Sequence, residues 1–162
     1  MIVKALPACL IACLFVAACG AGVDRNREFT GDKARDLIRR NVLGGDNRFP
    51  IEKPYTYQYG SIHVDGPSGG MLYRFESSFE ALNLIIDKHS LQQRTIDSLD
   101  QLPLDFLDDK PSWWTPPNGE RSGFYYTVGE YLPSGERQFI AVFDGSAGII
   151  YAVEHVANSR GI

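Results

Sequence analysis

Residues 137–156, RQFIAVFDGSAGIIYAVEHV, decide the fold. Two runs rich in aromatic and β-branched side chains, Arg137–Phe143 and Ile149–Val156, flank the turn residues Asp144-Gly145-Ser146. Such runs, separated by Asp and Gly, read as a β-hairpin. Upstream, Gly123–Leu132 ends at Pro133-Ser134-Gly135-Glu136, which adds a third antiparallel strand. The C-terminal part of the chain is therefore expected to be a three-stranded meander.

Working towards the N-terminus, residues 55–65 alternate as a strand. The turn Gly66-Pro67-Ser68-Gly69-Gly70 follows, and a strand returns over Met71–Phe75. Ser77 and Glu80 have capping-box spacing. After them Leu82, Ile85, Ile86 and His89 recur at helical intervals, an apolar stripe that needs a sheet to cover it. Thr30 is placed to cap an earlier helix carrying Ala34, Leu37 and Ile38. Arg39-Arg40 suit the negative end of that helix, and Gly44-Gly45 stops it. Residues 92–110 are ambiguous: Ile96, Leu99 and Leu102 suit a short helix, but Pro103 ends it. The order helix, hairpin, helix, loop, meander predicts an α+β domain: an antiparallel sheet of about five strands with helices packed on one face.

The first twenty residues carry an address. Lys4 precedes an apolar run from Leu6 to Val16, and Val16-Ala17-Ala18-Cys19-Gly20 closes it. This stretch resembles the signal peptide and lipobox of bacterial lipoproteins. The resemblance implies cleavage before Cys19 and lipid on its sulfur. A basic start, an apolar stretch and small residues at the cleavage site are what a signal peptide requires. The run is shorter than the roughly 20 residues that a transmembrane helix needs. All three cysteines (Cys9, Cys13, Cys19) lie in or at the end of this leader, so the mature domain has none to pair. An ordinary secretory signal with Cys19 as a bystander is the competing reading. Gly20 follows the cysteine, where lipoproteins retained in the inner membrane commonly carry aspartate. The resemblance thus implies an outer-membrane anchor facing the periplasm.

These features divide the chain into a signal peptide (1–18), a lipidated cysteine and hydrophilic tether (19–28) and one globular domain (29–162). The leader takes one of 16 basic residues and none of the 20 acidic ones, so 15 face 20 and the mature net charge is −5. That balance argues against nucleic acid or anionic lipid headgroups as partners, since both require a basic face.

Candidate chemistry is sparse. Gly66-Pro67-Ser68-Gly69-Gly70 has the letters of a hydrolase nucleophile elbow. That motif, however, needs a strand-to-helix turn above a largely parallel sheet, whereas here it joins two strands. His63 and Asp65 share one strand face with Tyr55, Tyr57 and Tyr59, and a carboxylate two positions away can orient an imidazole. None of the three histidines has metal-ligand spacing to another histidine or to a cysteine, and no cofactor is implied. His89 suits a structural place at a helix end. Glu154 and His155 are neighbours on a strand and so point to opposite faces. Asp105, Asp108 and Asp109 read as a solvated acidic loop. Trp113-Trp114, stiffened by Pro111, Pro116 and Pro117, is the remaining feature. Tryptophan buries a large area and is enriched at binding hot spots. Consecutive residues of an extended loop face opposite ways, so one ring is expected to plug the core and the other to be exposed, with Trp114 the choice for the exposed one.

The functional expectation is a lipid-anchored envelope protein. Its contact with the membrane is through Cys19, and its role is non-enzymatic binding of an envelope protein or a glycan, of the accessory, exclusion or immunity type. The alternative is an envelope hydrolase built on His63 and Asp65.

Overall fold

The computed structural model describes residues 26–60, 69–94, 110–117, 123–126 and 136–157. They form one antiparallel sheet of seven strands: β1 (Arg27–Thr30), β2 (Glu52–Gly60), β3 (Gly69–Glu76), β4 (Gln92–Arg94), β5 (Gly123–Tyr126), β6 (Glu136–Asp144) and β7 (Ile149–Ala157). Their order across the sheet is β1-β2-β3-β7-β6-β5-β4. The expected hairpin is β2–β3 and the expected meander is β5–β6–β7. Those five strands are the middle of the sheet, and short strands β1 and β4 extend its two edges. The helices are α1 (Gly31–Leu37), which runs on as a π-helical turn over Ile38–Val42, and α2 (Phe79–His89).

Both helices lie on one face, as the apolar stripes require. Ala34, Ile38 and Val42 from the first, with Ala81, Leu82 and Ile85 from α2, are fully buried. Ile38, Val42, Leu82 and Ile85 pack against Met71, Tyr73 and Phe75 of β3, Phe139 and Ala141 of β6, and Ile150 and Ala152 of β7. His89 takes the structural place expected of it. Its ring stacks on Phe139 with centroids 3.7 Å apart, and its Nε2 lies 3.1 Å from the Val42 carbonyl oxygen. Gly44 and Gly45 both have positive φ (68° and 85°), which glycine adopts without steric cost, and they end the first helix as the sequence predicts.

Two local expectations are corrected, and one ambiguous segment is settled. Arg27 and Glu28, assigned above to the tether, already belong to β1. Phe29 beside them packs on the helix-side core, and burying that ring draws its neighbours into the sheet. The N-cap of α2 is Ser78 rather than Ser77, because the Ser77 hydroxyl donates to the Pro50 carbonyl at 2.8 Å. Gln92–Arg94, in the segment whose sequence is ambiguous, are the edge strand β4, paired with β5. Ile96, Leu99 and Leu102 lie outside the described residues.

The opposite face of the sheet is also covered. Ile149, Ile150, Tyr151, Ala152 and Val153 are all buried, and an unbroken run of this kind marks a strand packed on both sides. At the end of that run the sheet makes a close approach. Tyr59, Gly70 and His155 sit side by side on β2, β3 and β7. A β-carbon built on Gly70 would run into the Glu154 carbonyl oxygen and lie 2.5 Å from the Tyr59 hydroxyl. Only glycine leaves room for the tyrosine ring to cross towards His155.

Two expected outcomes test this packing. Ile85→Ala should lower unfolding free energy by about 2–5 kcal/mol, while exposed Asp87→Ala stays within about 0.5 kcal/mol, as read from denaturant titrations. Gly70→Ala should be at least as damaging as Ile85→Ala despite adding a single methyl group. A wild-type melting curve for Gly70→Ala would show that the Tyr59 crossing is wrongly described.

Candidate functional site

The loop that carries the two tryptophans covers the face of the sheet opposite the helices. It turns tightly: the Trp114 amide donates to the Pro111 carbonyl at 2.9 Å and the Thr115 amide to the Trp113 carbonyl at 3.1 Å. Trp114 is 7% exposed and meets Tyr151 of β7 edge-on, with centroids 5.5 Å apart. It joins Leu72, Ile140, Val142 and Val153 in a second apolar cluster. Trp113 is half-buried at the margin of that cluster, edge-on to Trp114 at 6.1 Å. Its ring leans on Tyr55 of β2 at 5.6 Å, and its indole N–H donates to Glu28 Oε1 of β1 at 3.0 Å. The assignment of the two rings is therefore the reverse of that expected from sequence. Trp114 is the core plug and Trp113 the ring at the surface. The reason is reach: Trp114 finds an aromatic partner on the central strand β7, while Trp113 finds one near the sheet edge.

Arg74 completes this surface. In-register pairing puts Tyr55, Arg74 and Tyr151 in one row across β2, β3 and β7. The guanidinium lies 5.6 Å from the Tyr55 ring centre and 5.9 Å from that of Tyr151. Cations attract aromatic faces through the ring quadrupole, by roughly 0.5–2 kcal/mol according to burial. The surface thus presents Trp113, Tyr55 and the half-buried Tyr57, flanked by a carboxylate at Glu28 and a guanidinium at Arg74. Flat rings with one hydrogen-bonding group of each sign can hold a sugar ring or an extended peptide.

Glu154 and His155 point to opposite faces, as alternation requires, and both are buried. Each is met by a tyrosine. Glu154 Oε2 accepts from the Tyr73 hydroxyl at 2.9 Å, and Asn41 Nδ2 donates to that same hydroxyl at 3.0 Å, linking the π-helical turn to the sheet. On the other face the Tyr59 hydroxyl lies 3.1 Å from His155 Nδ1. Burial, reinforced by the Glu154 charge, pushes the Tyr59 phenol well above its usual range, and burial pushes the His155 imidazole down. Both directions favour a protonated phenol beside a neutral ring. Nothing local in the sequence announces this pair, because its partners are 96 residues apart. The available signal was two ionisable residues closing an otherwise apolar strand.

Cys19, His63, Asp65, Ser68, Asp105, Asp108 and Asp109 lie outside the described residues. No group of three or more His, Cys, Asp or Glu side chains suited to a metal ion occurs among the described residues. Comparison with known protein families, with characterised proteins and with solved structures gives no match for this chain.

The different environments of the two tryptophans make a direct test. Trp114→Ala should cost about 3–5 kcal/mol of stability, and Trp113→Phe, which keeps a ring but loses the bond to Glu28, about 1 kcal/mol. Similar losses from both changes would contradict the assignment. A second expectation concerns pH. A histidine held neutral in the fold contributes its full stability above the unfolded value of about 6.5, and that contribution is lost as pH falls below it towards the lowered folded value. From about pH 7 to about pH 5 the melting temperature should therefore fall more steeply for the wild type than for His155→Gln. Parallel curves would rule out a buried neutral imidazole.

Proposed function

We propose that this chain is a lipid-anchored protein of the bacterial envelope, and that its Trp113-centred surface binds an envelope protein or a glycan without catalysing a reaction. The observation that carries the binding role is the state of Trp113. It is half-buried and oriented by Tyr55 and Glu28, at the margin of the cluster in which Trp114 is buried. A large ring held in one orientation loses little conformational freedom on binding, which is why such rings become hot spots. Arg74 and Glu28 beside it supply a donor and an acceptor for a polar partner.

The anchor rests on residues 14–20 and on the resemblance to a lipobox. The described structure is compatible with that address: none of its helices is long and apolar enough to cross a membrane. One acyl chain holds a protein only marginally, and the two or three on a lipoprotein cysteine hold it stably. Gly20 after the cysteine favours the outer membrane.

Metabolic labelling with a fatty acid tests the anchor. The wild type should incorporate label, and Cys19→Ala should accumulate as an unlabelled precursor. An unmodified mature N-terminus in the wild-type mass spectrum would remove the anchor. Binding is tested with envelope proteins crosslinked in native membranes and with purified cell-wall glycan. Trp113→Ala should weaken capture by about thirtyfold, the equivalent of roughly 2 kcal/mol, while the domain remains folded. Undiminished capture by folded Trp113→Ala would remove this surface from the function.

A further inference from the structure

The net charge of the mature chain conceals a polarity. Residues 20–45 carry six basic and four acidic side chains, net +2, whereas residues 46–162 carry nine and sixteen, net −7. The basic part contains β1 and α1, the elements that follow the proposed anchor.

The three acids of that part that lie among the described residues are engaged. Asp32 pairs with Arg35, Asp36 lies 3.9 Å from Arg39, and Glu28 accepts from Trp113 on the other side of the sheet. Arg27 and Lys33 are exposed and form no ion pair among the described residues. Both lie over one ring. The Arg27 guanidinium is 5.1 Å and the Lys33 ammonium 4.6 Å from the centre of Phe29. Arg27 and Phe29 share a strand face by alternation, and Lys33 reaches over from the first turn of α1. The ring quadrupole attracts both charges, and among the described residues neither has a carboxylate partner. Two exposed cations without a carboxylate partner are free to meet an anionic surface. Cys19 and Arg27 are eight residues apart, at most about 26–29 Å of extended chain, so a bilayer holding Cys19 keeps this corner within reach of its headgroups.

We infer that the Arg27–Phe29–Lys33 corner docks on the phosphates of anionic phospholipids in the membrane that carries the anchor. This rests on the lipidation of Cys19 and adds an orientation to it. Docking lays the helix side of β1 on the headgroups. Glu28 and Trp113, on the opposite sheet face, are left turned away for their partner. The acidic remainder of the domain is repelled by the same surface, which favours the same orientation.

Full-length lipidated protein, reconstituted in vesicles of phosphatidylcholine alone or mixed with phosphatidylglycerol, tests this by hydrogen exchange. Amides of residues 27–37 should exchange more slowly on the anionic vesicles, and the difference should vanish at about 1 M salt, where screening acts within about 3 Å. Arg27→Gln and Lys33→Gln should each lower the docked-to-undocked ratio by about fivefold. Lys53→Gln, which removes an equal charge paired with Glu76 at 2.8 Å, should leave it unchanged. Equal exchange on both vesicles, or equal effects of all three variants, overturns the docking corner while the anchor stands. If the wild type fails to float with either vesicle, the anchor itself is overturned and this orientation with it.

Discussion

The pairing of β3 with β7 is the contact on which the rest of the molecule depends. The β2–β3 hairpin and the β5–β7 meander are each local in sequence. A two-stranded hairpin alone is marginally stable at best in water. Joining Gly69–Glu76 to Ile149–Val156 puts the two strands in the middle of one sheet and makes their both-sided burial possible. Tyr73, Phe75, Ile150 and Ala152 then receive the helices, while Leu72, Tyr151 and Val153 receive the tryptophan loop. This is a long-range contact, whose loop-closure entropy must be met before any burial offsets it.

Strand β7 also carries two buried ionisable side chains, Glu154 and His155. Unpaired, each would cost several kcal/mol; a hydroxyl partner reduces that cost. Tyr73 and Tyr59 come from β3 and β2, so each polar contact forms only when the strands are in register. A slip of one residue would send Glu154 to the tryptophan side and His155 under the helices, away from both hydroxyls. The two pairs thus specify register where apolar packing alone discriminates weakly. Gly70 serves the same end, because the Tyr59 ring can cross only over a residue without a side chain.

The proposed functional parts converge on one edge. Strand β1 leads from the tether into the sheet, presents Glu28 to Trp113 on one face and Arg27 to Phe29 on the other. A short edge strand therefore links the proposed anchor, the corner proposed to meet lipid and the ring proposed to meet a partner. Its position also explains why a tryptophan that is half-buried can still be well oriented: the Glu28 carboxylate fixes the indole N–H and Tyr55 fixes the plane.

The α+β class, the hairpin, the meander, helix α2 and the stop at Gly44-Gly45 were legible in the chain, because each depends on periodicity or backbone freedom within about a dozen residues. The resemblance to a lipobox, from which the anchor is proposed, likewise rests on a run of neighbours. What the sequence left open concerns partners distant along the chain. Nothing within reach of Trp113 announces Glu28, 85 residues away, and nothing beside Glu154 announces Tyr73. Alternation separated Glu154 from His155 but was silent on burial, which depends on what covers each face. Trp114 was misplaced because local loop geometry divides two neighbouring rings between two directions without saying which leads inwards. Tertiary packing decided it, through the position of Tyr151 on the strand that both halves of the sheet share.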